Sequence, residues 1–178
     1  MAWTGKITEG SPDGYPYVTG GPSDPAMQAV VWQRIEAWIS YRWRARSVVF
    51  IAEGPGAWVS PLEPTTISTT EIWEGSAWHS AELEATPLGG LYLPNPGPFR
   101  LTGTAGSAAT PPEAVQEAVR RLWAFLERSG EFPCGVTREE MDSPGFRHMT
   151  ERPASWAARA LQYSGAADLL RPYRRLGR

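Results

Sequence analysis

The sequence predicts an α+β fold: a small helical bundle with an inserted β-hairpin or small antiparallel sheet, and an extended C-terminal tail. Apolar residues follow helical spacing after Asp24 and again after Thr110, and short strand-forming runs separated by Gly and Pro occupy residues 46–104. We therefore divide the chain into an N-terminal extended arm (1–22), a core (23–164) and a C-terminal tail (165–178).

The first helix is predicted to begin at Asp24-Pro25, because Asp24 can cap it and proline needs no backbone partner in the first turn. Apolar residues cover most of its circumference, so we expect it to be buried on several sides. A neighbouring subunit is expected to bury one of these sides. The chain has 9 tryptophans, a residue type favoured where a side chain is part apolar and part wet. Five are predicted to lie at a subunit interface, although each could instead fill the core: Trp32, Trp38, Trp43, Trp58 and Trp73.

The second helix has the clearest start, since Thr110-Pro-Pro-Glu113 has the pattern of a capping box. This pattern predicts Thr110 as the N-cap, and Gly130 provides a stop for the helix. A third helix is predicted at 153–164, after a segment punctuated by Pro and Gly. Residues 1–22 have no sustained period, so we predict an irregular or extended arm.

Composition limits the classes of protein to which this chain can belong. The formal net charge is -2, which does not favour a tight nucleic-acid binder, because phosphate contacts need a basic face. The only cysteine is Cys134, so no internal disulfide can form and the chain suits a reducing compartment. We find no signal peptide in the first residues and no apolar run near the roughly 20 residues that a membrane helix needs, and we predict no membrane contact.

No residue pattern indicates catalysis. His79 and His148 lack the spacing of metal ligands, and no local signature supports Cys134 with His148 as a nucleophile pair. Glu82 and Glu84 share one face of a predicted strand, where two solvated carboxylates explain them best. We therefore predict a protein that is not an enzyme, with no catalytic residue, metal or cofactor.

The tryptophan-rich strands leave a binding function open. A carbohydrate-binding module would need an aromatic platform, with Trp58, Trp73 or Trp78 exposed and coplanar on one face. Because no Lys or Arg is clustered between these aromatic residues, a nucleic-acid platform is less favoured.

The order of several motifs resembles a known family, the head–tail connector (adaptor) proteins of tailed bacteriophages and gene transfer agents. The resemblance is carried by a helix running into a strand, a proline-bounded strand, a strand–glycine–Pro-Pro-Glu–helix join and a terminal Leu-Leu-Arg-Pro-Tyr-Arg-Arg-Leu run. These motifs lie at residues 37–50, 61–73, 99–123 and 169–176. Family members commonly open with an additional helix, whereas this chain has the Gly/Pro-rich arm.

The resemblance implies a structural protein of the virion, placed in the neck after assembly in the host cytoplasm. It implies a ring, expected to be a dodecamer, that lies under the portal, extends the DNA channel and docks a stopper or tail-terminator protein. DNA would pass through without sequence-specific binding, and we predict a neutral or acidic lumen, because a lumen that gripped phosphates would slow it. A neighbouring head-completion or stopper protein is the nearer alternative to the adaptor.

The tail carries the portal contact that the resemblance implies. Leu and Tyr can anchor in apolar pockets, and Arg is enriched at interface hot spots. The alternative is a frayed basic terminus. The residues predicted to bind the portal are Leu169, Leu170, Arg171, Tyr173, Arg174, Arg175 and Leu176.

Overall fold

The computed structural model describes residues 2–87, 89–130, 138–143, 146–151 and 159–174. The chain forms two compact units. A β unit is drawn from Met1–Pro16 and Ser40–Thr110, and a helical unit is drawn from Tyr17–Ile39 and Pro111–Arg174.

The β unit is built on a five-stranded antiparallel sheet with the order β1-β2-β7-β4-β5. A second, two-stranded sheet pairs β3 with β6. The strands are β1 (Trp3–Glu9), β2 (Arg46–Glu53), β3 (Gly56–Trp58), β4 (Thr65–Glu74), β5 (Ala77–Ser80), β6 (Leu91–Leu93) and β7 (Pro98–Ala105). The sheet predicted within 46–104 is therefore present, and it is extended by a strand from the N-terminal arm.

One face of the five-stranded sheet forms a hydrophobic core. The alternating residues Val48 and Phe50 on β2 face this core with Phe99 and Leu101 on β7, as expected for strands with one buried face. The short β3–β6 sheet contributes apolar side chains to the same cluster, among them Trp58. This buried side of the sheet is called the inner face below.

The helical unit contains four α-helices, a 3₁₀ turn and a hairpin within the described residues. They are α1 (Pro25–Ile39), α2 (Glu113–Gly130), β8 (Arg138–Ser143), β9 (Phe146–Glu151), α3 (Ala160–Tyr163), α4 (Ala166–Leu170) and the 3₁₀ turn Arg171–Tyr173. The β8–β9 hairpin lies in the segment that the sequence predicted only as punctuated by Pro and Gly. Most of the third helix predicted at 153–164 lies outside the described residues, which place α3 only at its end.

Asp24 caps α1 as predicted. Its carboxylate accepts the backbone N–H groups of Ala26 and Met27 at 3.4 and 3.2 Å, and its carbonyl accepts the N–H of Gln28 at 2.9 Å. One face of the helix buries Val31 and Ile35, and this burial holds the helix in the helical unit.

The start of α2 differs from the prediction. The helix begins at Glu113, and the carbonyl of Pro112 accepts the N–H groups of Val115 and Gln116 at 2.9 and 3.0 Å. Pro112 thus holds the cap position that was predicted for Thr110, because a residue that precedes proline is disfavoured from helical backbone angles, and Pro111 itself precedes Pro112. The apolar stripe of α2 is buried as predicted, and Glu117 accepts from Arg121 four residues later at 2.9 Å.

The N-terminal arm is ordered by two different contacts. Trp3–Glu9 joins the sheet as edge strand β1, so the arm is extended over this stretch, although its pairing with β2 was not predicted. Further along the arm, Val18 is buried. Gly21 lies close to α2, since a Cβ atom added to it would be 3.4 Å from the side chain of Val119. The α+β class is confirmed, and no helix within the described ranges is long and apolar enough to cross a membrane.

Candidate interaction surfaces

Three of the five tryptophans predicted at a subunit interface are buried within the chain. Trp32, Trp43 and Trp58 are buried, and the indole Nε1 of Trp58 donates to the hydroxyl of Thr4 at 2.8 Å. These three side chains therefore have little surface left to offer another subunit.

Trp38 and Trp73 retain accessible surface. Trp38 lies half-buried in the last turn of α1, and the guanidinium carbon of Arg174 lies 4.6 Å from the centre of its ring. The indole N–H of Trp38 is buried with no hydrogen-bond acceptor among the described residues. Trp73 is 43 % exposed at the tip of the β4–β5 hairpin.

The C-terminal segment, residues 166–174, is helical rather than extended. Leu170 is fully buried, so it anchors the segment to its own unit and its side chain is unavailable to a portal. Arg171, Tyr173 and Arg174 are exposed, and Leu169 is half-buried. Arg175 and Leu176 lie outside the described residues. Within the described part of the chain, the predicted portal-binding residues that keep accessible surface are therefore Leu169, Arg171, Tyr173 and Arg174.

We predict that Arg174→Ala loosens this segment from α1. Loss of the contact between Arg174 and Trp38 is expected to cost about 0.5–1 kcal/mol and to increase backbone hydrogen exchange at residues 171–174. Arg171→Ala is the matched control, because Arg171 pairs with Asp168 only at 4.0 Å and both side chains are exposed. Equal exchange in the two variants would show that the stacked arginine does not hold the segment.

The second face of the five-stranded sheet, called the outer face, presents cross-strand rows of side chains. At one end lies the aromatic row, in which Trp3 pairs with Glu53, Glu53 with Pro98, and Trp73 with Trp78. Phe99 on β7 pairs with Ile72 on β4. The next residue along each strand, Pro98 and Trp73, are therefore neighbours in this row. Threonine, serine and valine dominate the far end, where the paired residues include Val49, Thr102 and Thr69.

A charged and aromatic ladder adjoins the aromatic row. Arg100 donates to both carboxylate oxygens of Glu71 at 2.6 Å, and its guanidinium carbon lies 4.6 Å from the ring centre of Trp78. The hydrogen bonds from Arg100 lower the pKa of Glu71, and the carboxylate in turn raises the pKa of Arg100. These contacts hold Trp78 in place and pair the charge of Arg100 on β7 with that of Glu71 on β4.

The tryptophan pair does not form a flat platform. The ring centres of Trp73 and Trp78 lie 5.1 Å apart, but the ring planes meet at 63° in an edge arrangement. With Trp58 buried, the coplanar set that a carbohydrate-binding module requires is not formed by Trp58, Trp73 and Trp78.

A partly buried ionic cluster holds strand β1 within the β unit. Arg42 donates to both carboxylate oxygens of Glu9 at 2.7 and 2.8 Å, and Arg46 lies 3.7 Å from the same carboxylate. The hydrogen bond from Arg42 lowers the pKa of Glu9, with the charge of Arg46 acting in the same direction and burial opposing both. Nothing in the sequence predicts this cluster, because it joins Glu9 to arginines that are distant along the chain.

Within the described ranges, no group of three or more His, Cys, Asp or Glu residues could hold a metal ion. His79, Glu82 and Glu84 are exposed, as their interpretation as solvated residues predicts. Cys134 and the side chain of His148 lie outside the described part of the chain. No protein-family model matches the chain, and no curated protein matches it.

Proposed function

We propose that this protein is a structural head–tail connector (adaptor) that assembles as a ring under a portal, extends the DNA channel and docks the next component of the neck. The observation that carries the proposal is the order of the two units along the chain. Four of the five strands of the large sheet are inserted between α1 and α2, while β1 precedes α1, and the helical unit closes with α4 and the Arg171–Tyr173 turn. From α1 onward, this is the order of elements that the family resemblance implies.

The portal-facing residues in this proposal are those of the C-terminal segment that remain accessible. Arg171 and Arg174 offer charged donors, and Tyr173 is 38 % exposed and supplies an aromatic anchor. Leu170 has a different role, since its burial sets the point from which these residues project. The downstream partner is a stopper or tail-terminator protein, and the location is the neck of the virion.

The test is a truncation placed by the structure. Removing residues 171–178 leaves the buried Ala166 and Leu170 in place, whereas a deletion from 166 onward would damage the helical unit itself. The truncated chain and the full chain are each mixed with the portal protein encoded in the same genome. Complexes are then counted by mass photometry and imaged by negative-stain electron microscopy.

We expect the full chain to form a ring on the portal, and the truncated chain to keep its helical circular dichroism and lose that complex. Tyr92→Ala, which removes an exposed aromatic residue from the β unit, is the control and should assemble as the full chain does. Assembly of the truncated chain at the same protein concentration would make the tail assignment wrong. Absence of any complex between the full chain and the portal would make the adaptor proposal wrong.

A further inference from the structure

The N-terminal strand β1 lies at an edge of the five-stranded sheet. It pairs with β2 on one side, and the strand order places no other strand of the described residues on its second side. Six of its seven residues are exposed, and Ile7 is an apolar residue that is 41 % exposed. The opposite edge strand, β5, has only four residues. β1 is therefore the longer edge strand, and the backbone on its second side is accessible to another strand.

The hydrogen-bond alternation of an antiparallel pair identifies the backbone groups at this edge. The N–H of Gly10 donates to the carbonyl of Ser47 at 2.9 Å, so these two residues form a hydrogen-bonded pair. Hydrogen-bonded positions alternate along β1, which makes Thr8 the next residue that bonds to β2 and leaves Glu9 and Ile7 at the alternate positions. The N–H and C=O groups of Ile7 and Glu9 therefore point away from β2. Among the described residues, no backbone segment outside the sheet bonds to them.

Two copies of β1 fit each other in an antiparallel register centred on Thr8. In that register, Ile7 of each copy lies opposite Glu9 of the other copy, so the outward N–H and C=O groups of both residues exchange hydrogen bonds. Every outward backbone group of Ile7 and Glu9 is then paired. Because a two-fold axis relates the copies, each presents the same surface to the other, and the contact closes without a third copy.

The side chains that this register brings together are compatible. Ile7, which pairs with the core residue Phe50 on the inner face, would lie diagonally opposite the same residue of the other copy and extend the core toward it. Lys6 would face Gly10 of the other copy, so the two lysines are not opposed. The carboxylate of Glu9 is already paired within its own copy. The register therefore opposes no like charges.

We propose that two copies of this chain dimerise through β1, which joins their five-stranded sheets edge to edge about a two-fold axis at Thr8. A register shift between Thr4 and Lys6 interrupts β1 and confines the pairing to residues 6–10. Because so short a stretch forms the contact, we expect a dissociation constant on the order of 10–100 μM. The proposal goes beyond the adaptor function and does not rest on it, since it concerns the β unit and the portal contact concerns the helical unit.

The experiment is sedimentation velocity on the full chain without a portal, at concentrations below and above this dissociation constant. We expect a concentration-dependent shift from monomer to dimer. Ile7→Pro removes an outward N–H, and proline is tolerated where an edge strand faces solvent, so this variant should keep β1 in its own sheet and weaken the dimer at least about tenfold. Ile7→Val, the matched control, keeps the N–H and a branched side chain and should change the dissociation constant by about twofold or less.

Hydrogen exchange followed by nuclear magnetic resonance gives a second readout at single residues. The amides of Ile7 and Glu9 should exchange slowly only at concentrations where the dimer forms, because their N–H groups point away from β2. The amide of Thr8 should be protected at every concentration, because it bonds to β2 within one copy.

A chain that stays monomeric at every concentration would overturn the proposal, as would a dimer that is equally strong in Ile7→Pro. Should Ile7→Pro unfold, Ile7→Lys keeps the test valid: it leaves the backbone unchanged, sets two lysines diagonally across the axis, and should weaken the dimer most at low salt. Growth into larger assemblies would indicate head-to-tail pairing of β1 with another edge and make the two-fold register wrong. Each of these failures would leave assembly on the portal intact, so it is distinguishable from a failure of the adaptor proposal.

Discussion

Replacing Trp58 with alanine is expected to lower the free energy of unfolding by about 3–5 kcal/mol, the largest loss that we predict for a single residue. Trp58 is 2 % exposed, its ring centre lies 5.2 Å from that of Phe50, and its indole N–H donates to Thr4. The substitution removes the contact between the β3–β6 sheet and the inner face and leaves a cavity there. Urea unfolding followed by far-ultraviolet circular dichroism measures the loss without relying on tryptophan fluorescence.

Two further variants separate packing from hydrogen bonding at this position. Thr4→Val removes the acceptor and leaves the indole N–H buried and unsatisfied, which should cost about 1–3 kcal/mol. Trp73→Ala is the matched control, because an exposed tryptophan of the same unit should cost about 1 kcal/mol or less. If Trp58→Ala were as stable as Trp73→Ala, Trp58 would not be a core residue, and the original interface prediction for it would regain support.

The contrast between Trp58 and Trp73 shows what the sequence could and could not predict. Composition and strand-forming runs predicted tryptophan-rich strands, and Trp58 lies on β3 of the two-stranded sheet while Trp73 lies on β4 of the five-stranded sheet. Which tryptophan is buried depends on which strand face meets the small β3–β6 sheet, and that requires the register between β2, β7 and β4. A single sequence contains no signal for that register.

Local signals were the most dependable. Asp24 caps α1 and the Glu117–Arg121 pair forms on α2, since each depends on residues within one turn of a helix. The Thr110 cap was also a local prediction, and it was wrong because Pro111 and Pro112 move the first helical position to Glu113. Long-range features were missed. The N-terminal strand β1 pairs with β2 across more than forty residues of sequence, and nothing in its Gly-containing run predicts that partner.

The same reasoning applies to the candidate interaction surfaces. The sequence predicted a basic C-terminal tail, but it could not show that Leu170 is buried while Tyr173 remains exposed. The ladder of Glu71, Arg100 and Trp78 joins three strands and is visible only once their order is known. Contacts between side chains on different strands therefore cannot be predicted from the sequence alone, whereas contacts between side chains one turn apart on a helix can.

Replacing Glu9 with glutamine is expected to destabilise the protein by about 2–3 kcal/mol at neutral pH. The change removes a carboxylate that both Arg42 and Arg46 contact, while these two buried arginines keep their charge. We place the loss below that of a fully buried ion pair because the Glu9 side chain is 26 % exposed, so water screens part of the interaction. Glu53→Gln, an exposed glutamate on the neighbouring strand, is the control and should change stability by about 0.5 kcal/mol or less.

The pH dependence gives this prediction a second measurement. Because the folded state lowers the pKa of Glu9 below its ordinary value of 4.5, the carboxylate contributes its full stabilisation above that pH and loses it as the pH falls through the folded pKa. The difference in unfolding free energy between the unaltered chain and Glu9→Gln should therefore be constant near neutrality and shrink on acidification below about 4.5. Subtracting the two curves removes the contributions of Glu71 and Glu117, whose pKa values are lowered in both proteins. A difference that stays constant through the acid range would show that the ionic contacts of Glu9 do not stabilise the fold, and that β1 is held by its backbone pairing with β2 alone.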